Sequence, residues 1–479
     1  MPFNYYSYLL VLVLIVSVFW ALPLKIRRWY LIAVSIAFYA AWTPQFVFVP
    51  LAIALGVFLC VRELLADTAK RLWFRLGIVF VLSLLIFFRY HELLAACLDT
   101  LFEFVRLHPG QLLFAVGVPL GISFYSFEAI SFLIDARQKR IKQVNFSDVC
   151  LYLMFWPNVV SGPIARWREL VPQFSFNRAF ELNAFISGLD RIVLGLVQKN
   201  LIADNLNSWV KEGFLPQGTQ ANTTLDNWFL GLAFALQIYF DFAAYSNMAI
   251  GTAKLIGINL PENFHFPYHA KNPSDFWSRW HMTLSRWIRD YLFFPVNARF
   301  QGATLPLYAS LIGVMALVGL WHGAGLGFVI WGVLHGCYLV AYRGWETLRS
   351  ARWPHLEKSR TAGLAWQAAT LVAVLVAWVP FRAESLHQAV TMLRSMFFGF
   401  SFRISYSVNF YLVTLLVAAY CIAEPYLADV IAKFNKSAIR NARLMAANLY
   451  LARPLVYAFG LLLFFAFDER NIQFIYFQF

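Results

Sequence analysis

Residues 305–342 have the sequence LPLYASLIGVMALVGLWHGAGLGFVIWGVLHGCYLVAY, which contains no Asp, Glu, Lys or Arg. A helix crosses a hydrocarbon core with about 20 apolar residues, so this stretch predicts two membrane-crossing helices joined near Gly323. Trp321 and His322 stand at that junction. A titratable imidazole is costly to bury at such depth, and by default it indicates a functional site. His322 is therefore the first candidate for chemistry.

Apolar runs of this kind recur along the whole chain. Hydrophobic residues make up 60% of the 479 positions and charged residues only 13%, which is not the composition of an ordinary soluble domain. Because the runs are continuous rather than alternating, we predict an all-α polytopic membrane protein with about eleven to thirteen transmembrane helices. The runs are 6–24, 29–39 continuing through 46–61, 76–88, 112–133, 149–160, 182–197, 228–250, 305–320, 325–342, 363–379, 410–422 and 456–467.

The net charge of +14 is explained by basic loops rather than by a nucleic-acid partner. In membrane proteins, cytoplasmic loops carry the excess of Lys and Arg. Placing the first basic cluster in the cytoplasm puts the N-terminus outside, and the second cluster follows correctly after two crossings. The first residues lack a basic region, so no cleavable signal peptide is expected. The basic clusters lie at 25–28, 62–75, 137–142, 343–360 and 433–443.

No segment is long and polar enough to form a separate soluble domain, so we predict one membrane-embedded domain over 1–479. The longest polar interludes are 204–227, predicted as a loop because of its Gly and Pro residues, and 261–304. No internal repeat is visible, which weakens a transporter hypothesis built on inverted repeats. The five cysteines have no metal-ligand spacing, so neither a metal site nor a disulfide framework is expected. They are Cys60, Cys97, Cys150, Cys337 and Cys421.

The second informative region is 263–295, with the sequence NFHFPYHAKNPSDFWSRWHMTLSRWIRDYLFFP. Asn272, followed by a proline, predicts a helix start, and Asp275 stands at the capping-box position. Aromatic and aliphatic residues then recur at a helical period, while Asp275 and Arg279 are four apart in the favourable order. We predict one amphipathic helix, too charged to span, that lies at the interface or re-enters the protein. His281 is expected on its apolar face.

Further polar candidates lie within the apolar runs. Gln237, Asp241 and Tyr245 are spaced i, i+4, i+8, so a helix presents them on one face. This stripe is either the lining of a channel or an interhelical polar clamp. His335 lies in a glycine-rich apolar helix, where a packing role and a catalytic role both fit its surroundings. For His281, a buried structural histidine bonded to the backbone is the alternative to a functional one.

These motifs together resemble the membrane-bound O-acyltransferase (MBOAT) family, and most closely its bacterial alginate O-acetyltransferase type. The chain departs from the usual pattern at Asn272, where Ser is common, at Ser278, where a basic residue is common, and at 296–299, where Leu-Gly-Gly is common. These differences leave the histidines untouched and the acceptor polymer open. The matching segments are 121–128, 155–157, 162–164, 239–242, 245–246, 267–268, 272–277, 279–281, 284–285, 287, 289–291, 319–323, 331–332, 335–336 and 474–479.

The resemblance implies an MBOAT fold and transfer of an acetyl group from a thioester to a hydroxyl. A histidine with an ordinary pKa of about 6.5 suits the general-base step. By analogy His322 is the catalytic residue, and His281 is the second motif histidine. The candidate substrate or channel residues are Trp321, Gln237, Asp241, Tyr245, Arg279 and His335. Arg279, with Arg286 and Arg289, either holds the phosphates of the donor or faces anionic lipid.

The resemblance also implies partners and a location. The acetyl donor, such as acetyl-CoA, is a co-substrate, and no bound cofactor is expected. The acceptor would be an alginate-like exported polysaccharide in the bacterial inner membrane system. The partners would be a periplasmic serine-esterase-like (SGNH) acetyltransferase, a polysaccharide export complex and membrane lipids. The alternatives are D-alanyl transfer to teichoic acid or acylation of a lipid or protein on the same fold, and a channel or carrier without covalent chemistry.

Overall fold

The computed structural model describes residues 6–66, 69–102, 117–177, 179–215, 218–219, 222–300, 303–355, 359–440, 447–466 and 474. Within these residues the regular secondary structure is helical, and no strand is present. The all-α fold class predicted from the apolar runs is therefore confirmed. The beginning of the predicted run 112–133, at 112–116, lies outside the described residues, as do residue 467 of the last run and all of the terminal motif 474–479 except Phe474.

Seven of the described helices are long and apolar enough to cross a membrane, and two shorter apolar helices accompany them. The sequence predicted about eleven to thirteen spans because it also counted runs that form shorter helices, such as Phe146–Met154 and Leu182–Val197. The chain is thus a multi-pass membrane protein. The seven candidate spans are Pro44–Leu65, Lys70–Arg89, Thr224–Leu255, Thr304–His322, Leu326–Arg352, Arg360–Arg382 and Val408–Lys436, and the shorter helices are Ser7–Ala21 and Asn448–Phe464.

The chain divides into two compact units, each built from two separate segments. The first unit comprises Met1–Ile192 and Tyr245–Glu262, and the second comprises Val193–Ala244 and Asn263–Phe479. Both regions that the sequence singled out, 263–295 and 305–342, belong to the second unit. The single membrane-embedded domain over 1–479 stays a prediction.

The first unit contains short and long helices around an aromatic core in which Phe132 stacks on Trp167, with ring centroids 4.3 Å apart. The predicted run that continues from 29 to 61 is two helices, because a 3₁₀ turn at Pro44–Phe46 interrupts it. The helices are α1 Tyr6–Ala21, α2 Leu24–Trp42, α3 Phe48–Leu65, α4 Lys70–Arg89, α5 His91–Phe102, α6 Ile122–Arg137, α7 Phe146–Met154, α8 Trp167–Leu170 and α9 Leu182–Val197, whose last turn enters the second unit.

A buried loop follows α7 in the first unit, where the sequence predicted that the helix would continue to residue 160. Residues 155–165 are not helical, and their side chains are buried. Glu128 Oε1 accepts hydrogen bonds from Asn158 Nδ2 at 2.9 Å and from the Ala165 backbone N–H at 3.1 Å. The Tyr152 hydroxyl donates to the Ala165 carbonyl at 3.0 Å. These bonds supply partners that a buried loop cannot obtain from its own backbone.

The second unit contains most of the candidate spans. A helix occupies Asp204–Gly213, inside the segment predicted as a loop, because Leu206 and Val210, four residues apart, are buried on one face. The helices are α10 Asp204–Gly213, α11 Thr224–Leu255, α12 Pro273–Arg279, α13 Met282–Ile288, α14 Phe294–Asn297, α15 Thr304–His322, α16 Leu326–Arg352, α17 Arg360–Arg382, α18 Leu386–Phe398, α19 Val408–Arg440 and α20 Arg453–Ala466; α11 belongs to the first unit from Tyr245 onward.

Helices α15 and α16 form a tight hairpin that ends one span at His322. A Cβ added at Gly332 would lie 2.1 Å from the Met315 carbonyl oxygen, and one added at Gly319 would lie 2.1 Å from the Phe328 carbonyl oxygen. The two backbones therefore approach as closely as small residues allow. This contact places His322 beside α16, where Trp331 packs against it.

We expect Gly332→Ala to destabilise this hairpin, because the added methyl group collides with a backbone carbonyl that cannot rotate away. Overpacking of this kind costs about 1–3 kcal/mol. The measurement is the thermal unfolding temperature of the purified protein in detergent.

The matched control is Gly344→Ala in the same helix, where nothing lies within 4 Å of the added Cβ. Alanine is the better helix former, so this variant should unfold at the same temperature as the parent or slightly above it. Equal unfolding temperatures for the two variants would contradict the close approach.

Candidate active site

His281 lies in a break between two short helices, not on the face of one helix. Helix α12 ends at Arg279, and His281 precedes α13 in a left-handed conformation with φ 40° and ψ 54°. The single amphipathic helix predicted within 263–295 is therefore wrong at this point, although His281 is buried, as its assignment to the apolar face predicted. The predicted start of this helix is correct, because Asn272 Oδ1 accepts a hydrogen bond from the Asp275 backbone N–H at 2.8 Å.

The break is caused by backbone bonds to residues that lie earlier in the chain. The Met282 N–H donates to the Asn263 carbonyl at 2.8 Å, and the His265 N–H donates to the Arg279 carbonyl at 2.9 Å. The Met282 N–H and the Arg279 carbonyl are thereby removed from the hydrogen-bonding pattern of a continuous helix. A non-glycine residue in the left-handed region costs about 1–2 kcal/mol, which these bonds and those of the Asn263 side chain offset.

Asn263 fixes the orientation and the tautomer of His281. Its Oδ1 lies 3.0 Å from His281 Nδ1 and also accepts hydrogen bonds from Thr283 Oγ1 at 2.9 Å and the Thr283 N–H at 3.5 Å. A backbone N–H can only donate, so the amide atom it meets is the oxygen. That oxygen can only accept, so Nδ1 carries the proton and Nε2 carries the lone pair. Asn263 and His281 are both buried.

Burial keeps His281 neutral. It lowers the pKa of this imidazole from 6.5 to about 3, because the charged form loses its hydration. A base with so low a pKa is a weak proton acceptor near neutral pH. His281 is thus suited to hold a reacting group by a hydrogen bond rather than to take up its proton.

His281 and His322 contact the same indole ring. The Trp321 ring centroid lies 6.5 Å from that of His281 and 4.7 Å from that of His322. Trp331 and Phe381 each lie 5.2 Å from His322, which is buried. The structure therefore brings the two predicted histidines and Trp321 together in one aromatic enclosure.

His335 lies further along the same aromatic enclosure. Its ring centroid is 5.0 Å from Trp331, 5.1 Å from Trp277 and 5.7 Å from Phe276, with which it stacks. The ring is buried and joins α16 to α12. These contacts match the packing role, one of the two roles the sequence left open for it, while its part in catalysis stays a prediction.

Arg279 is committed to the local structure of α12. Its Nε donates to Asp275 Oδ1 at 2.8 Å, and its Nη1 donates to the His265 carbonyl at 3.3 Å. Burial works against ionisation of Asp275, but the bonds from Arg279 and from the Lys271 N–H outweigh it, so the pKa of this carboxyl lies below its ordinary value. The predicted i, i+4 pair is present, and it favours a structural role for this arginine.

Asp241 and Gln237 are bound to neighbouring helical segments of the second unit. Lys199 Nζ lies 2.8 Å from Asp241 Oδ1 and 2.7 Å from Asp204 Oδ1. Gln237 Nε2 donates to Asn207 Oδ1 at 2.9 Å. All these charged groups are buried, and the geometry matches the interhelical polar clamp rather than a channel lining.

Tyr245, the third residue of the predicted stripe, belongs to the first unit. It is buried, and its hydroxyl is hydrogen-bonded to the backbone at Ser161, in the buried loop. Gln237 and Asp241 therefore contact helical segments of the second unit, whereas Tyr245 contacts the buried loop of the first unit.

Asn263 and Lys199 are two residues whose roles the sequence did not reveal. Lys199 lies two residues after the apolar run 182–197, and Asp241 lies inside the run 228–250, so the cost of burying a lone charge was a usable signal for their pairing. No comparable signal marks Asn263, because a single amide residue next to a motif forms no recognisable pattern. Among the described residues, no group of three or more His, Cys, Asp or Glu side chains is placed to hold a metal ion.

We expect Lys199→Met to destabilise the second unit strongly, because it removes the cation that lies between the buried carboxylates of Asp204 and Asp241. Breaking a buried ion pair costs about 3–5 kcal/mol. The matched control is Lys433→Met, which removes an exposed pair with Asp429. The unfolding temperature in detergent should fall strongly for Lys199→Met and hardly at all for Lys433→Met. Similar decreases for the two variants would show that Lys199 does not hold the helices of Asp204 and Asp241 together.

Comparison with known proteins assigns the chain to a family. The profile of MBOAT, the membrane-bound O-acyltransferase family, matches residues 16–379. The protein named "Probable alginate O-acetylase AlgI" of Azotobacter vinelandii is 34% identical over 400 residues, which cover 81% of this chain and 76% of that protein. The protein named "Peptidoglycan O-acetyltransferase" of Helicobacter pylori is 33% identical over 408 residues, covering 78% of this chain and 74% of that protein.

A more distant similarity covers about half of the chain. The protein named "Teichoic acid D-alanyltransferase" of Bacillus subtilis is 31% identical over 236 residues, which cover 47% of this chain and 59% of that protein. The family match and the longer similarities both include the two histidine-bearing regions of the second unit. The chain belongs to the membrane-bound O-acyltransferase family and is an O-acyltransferase.

Proposed function

We propose that this protein moves acetyl groups from a cytoplasmic thioester donor, such as acetyl-CoA, across the membrane for O-acetylation of an exported, alginate-like polysaccharide. The names of the relatives that match most of the chain support an acetyl group and an extracytoplasmic polysaccharide acceptor. The supporting observation in the structure is the arrangement of His281 and His322 on one indole, with the tautomer of His281 set by Asn263.

The proposed division of labour rests on the family analogy for His322 and on the hydrogen bond between His281 and Asn263. His322 acts as the general base, and His281, kept neutral by burial, orients the reacting groups through Nε2. The aromatic rings of Trp321 and Trp331 exclude water, which would otherwise hydrolyse the thioester.

The transfer step balances in atoms and charge. The acceptor hydroxyl oxygen attacks the thioester carbonyl while its proton passes to His322. A C–O bond forms, the C–S bond breaks, and the thiolate that leaves takes the proton back from the imidazolium. The products are an O-acetyl ester, a free thiol and neutral His322.

The proposed setting is the bacterial inner membrane, with the N-terminus outside. A periplasmic serine-esterase-like acetyltransferase would receive or deliver the group beside a polysaccharide export complex. The basic residues at 137–142 and in the other clusters would then face the cytoplasm and its anionic lipids.

D-alanyl transfer to teichoic acid is the second candidate. The similarity to the Bacillus subtilis protein supports it, but that similarity covers 47% of the chain against 81% for the first alginate relative. An acyl carrier protein as donor would favour this candidate, and an acyl-CoA donor would favour the first.

We expect His322→Ala to abolish acetylation of the exported polysaccharide. A general base contributes roughly two to four orders of magnitude in rate, so the residual transfer should be below detection in cells. The measurement is mass spectrometry of the polysaccharide from cells that lack the protein and are complemented with parent or variant.

His355→Ala is the matched control, because His355 lies on a short turn after α16 and outside the aromatic enclosure. Both variants must accumulate in the membrane to the same level. Parental acetylation with His322→Ala would remove this residue from the mechanism, whereas an unmodified polysaccharide in parental cells would refute the proposed acceptor.

Asn263→Leu is expected to reduce acetyl transfer about a hundredfold, because His281 loses the acceptor that holds its ring and tautomer. Asn263→Asp keeps an acceptor at the same position and should retain more activity. Rates are compared in purified protein at matched amounts with a thermal-unfolding control. If the two variants lose activity equally, at equal stability, Asn263 does not act by orienting His281.

The membrane orientation predicts that a reporter fused after Arg140 lies in the cytoplasm, because it follows the basic cluster 137–142. A fusion after Gln45 should instead score periplasmic, since it follows two crossings from an N-terminus outside. The readout is a pair of reporters, each active on only one side of the membrane. A periplasmic score after Arg140 would overturn the orientation.

A further inference from the structure

A cavity of about 340 Å³ lies in the second unit between helices α15 and α16 and the segment 274–293. We propose that this cavity binds one anionic phospholipid, with the phosphate at Arg286 and Arg289 and an acyl chain along α15. The proposal concerns a site separate from the two histidines and does not depend on which acceptor the enzyme uses.

One wall of the cavity is apolar and belongs to two candidate membrane spans. Leu311, Val314 and Met315 come from α15, and Leu339 comes from α16. The same helix α15 leaves Leu317 exposed on its outer surface. An acyl chain in the cavity would therefore continue the apolar surface that these helices present to hydrocarbon.

The opposite wall combines cations and hydroxyls on two short helix faces. Ser274 and Ser278 of α12 are four residues apart, and Ser285, Arg286 and Arg289 follow on α13 and the turn after it. The two arginine side chains are exposed. Asp290 neutralises part of this charge, because Arg289 Nε donates to its Oδ1 at 2.8 Å. The two guanidinium groups suit the phosphate of a lipid headgroup, whereas the hydroxyls of Ser278 and Ser285 donate to Asp275 and to the Trp280 carbonyl.

A phosphate linked to an apolar chain also describes an acyl-CoA donor, so the two sources share the chemistry of this cavity. The lining favours the lipid. Eight of its thirteen residues are apolar, whereas a nucleotide would also require partners for its base and ribose. The eight are Trp277, Met282, Ile288, Phe293, Leu311, Val314, Met315 and Leu339.

The bound lipid would support the break that carries His281. Trp277 and Met282, on either side of that break, line the cavity, and Trp277 also contacts His335 and Trp331. Occupancy should therefore raise the stability of the folded protein, as any ligand of the native state does.

The test uses the full chain, purified and stripped of lipid in a nonionic detergent. Phosphatidylglycerol, phosphatidylcholine, acetyl-CoA or inorganic phosphate is added, and thermal unfolding and native mass spectrometry record stability and bound molecules. We expect one bound phosphatidylglycerol and a higher unfolding temperature with this lipid, and a smaller effect with the zwitterionic lipid.

Arg286→Gln together with Arg289→Gln should weaken phosphatidylglycerol binding about tenfold or more, since each lost cation near a headgroup weakens the attraction. The matched control is Arg71→Gln with Arg75→Gln, two exposed arginines on α4 of the first unit. It removes the same charge and should leave binding unchanged. Leu339→Trp, which fills the apolar wall, should weaken binding with both arginines intact.

Equal binding of the two lipids, or unchanged phosphatidylglycerol binding in the Arg286/Arg289 variant, would overturn the proposal. Displacement of the lipid by acetyl-CoA would assign the phosphate position to the donor and also overturn it. Displacement by inorganic phosphate alone would reduce the site to a simple anion site. None of these outcomes depends on acetyl transfer, so they can be distinguished from a failure of the proposed function.

Discussion

The cost of burying polar groups in an apolar interior is the constraint on which the rest of this structure depends. Three buried polar or charged groups illustrate how partners of matching chemistry meet this cost. Glu128 accepts from the buried loop after α7, Lys199 lies between two carboxylates, and His281 is bonded to Asn263. The same burial keeps His281 neutral, with its Nδ1–H bonded to Asn263 Oδ1.

Close backbone packing complements these polar partners. Because Gly319 and Gly332 allow α15 and α16 to approach, Trp331 reaches the ring of His322 at the end of α15. The aromatic side chains then continue to His335 and α12. The positions of the two histidines therefore depend on different contacts, glycine packing for His322 and hydrogen bonds for His281.

The features that depend on local sequence pattern were predicted correctly. The apolar run that ends near His322 became α15 with nearly the expected bounds, and the cap at Asn272 formed as its residue types require. The break at His281 was not predictable from periodicity, because the flanking residues have a helical pattern and the interruption comes from backbone bonds to residues 263–265. The pairing of Lys199 with Asp241 joins residues 42 positions apart, and only the cost of their burial hints at it.

The proposed site requires that His281 and His322 act together in one step. The most direct measurement is the acetyl-transfer rate of purified protein with His281→Ala, His322→Ala and both changes together. Residues that share one step are strongly non-additive, so the double variant should be no slower than the slower single variant. A double variant whose loss equals the product of the two single losses, at matched stability, would mean that the histidines act independently and would contradict a shared site around Trp321.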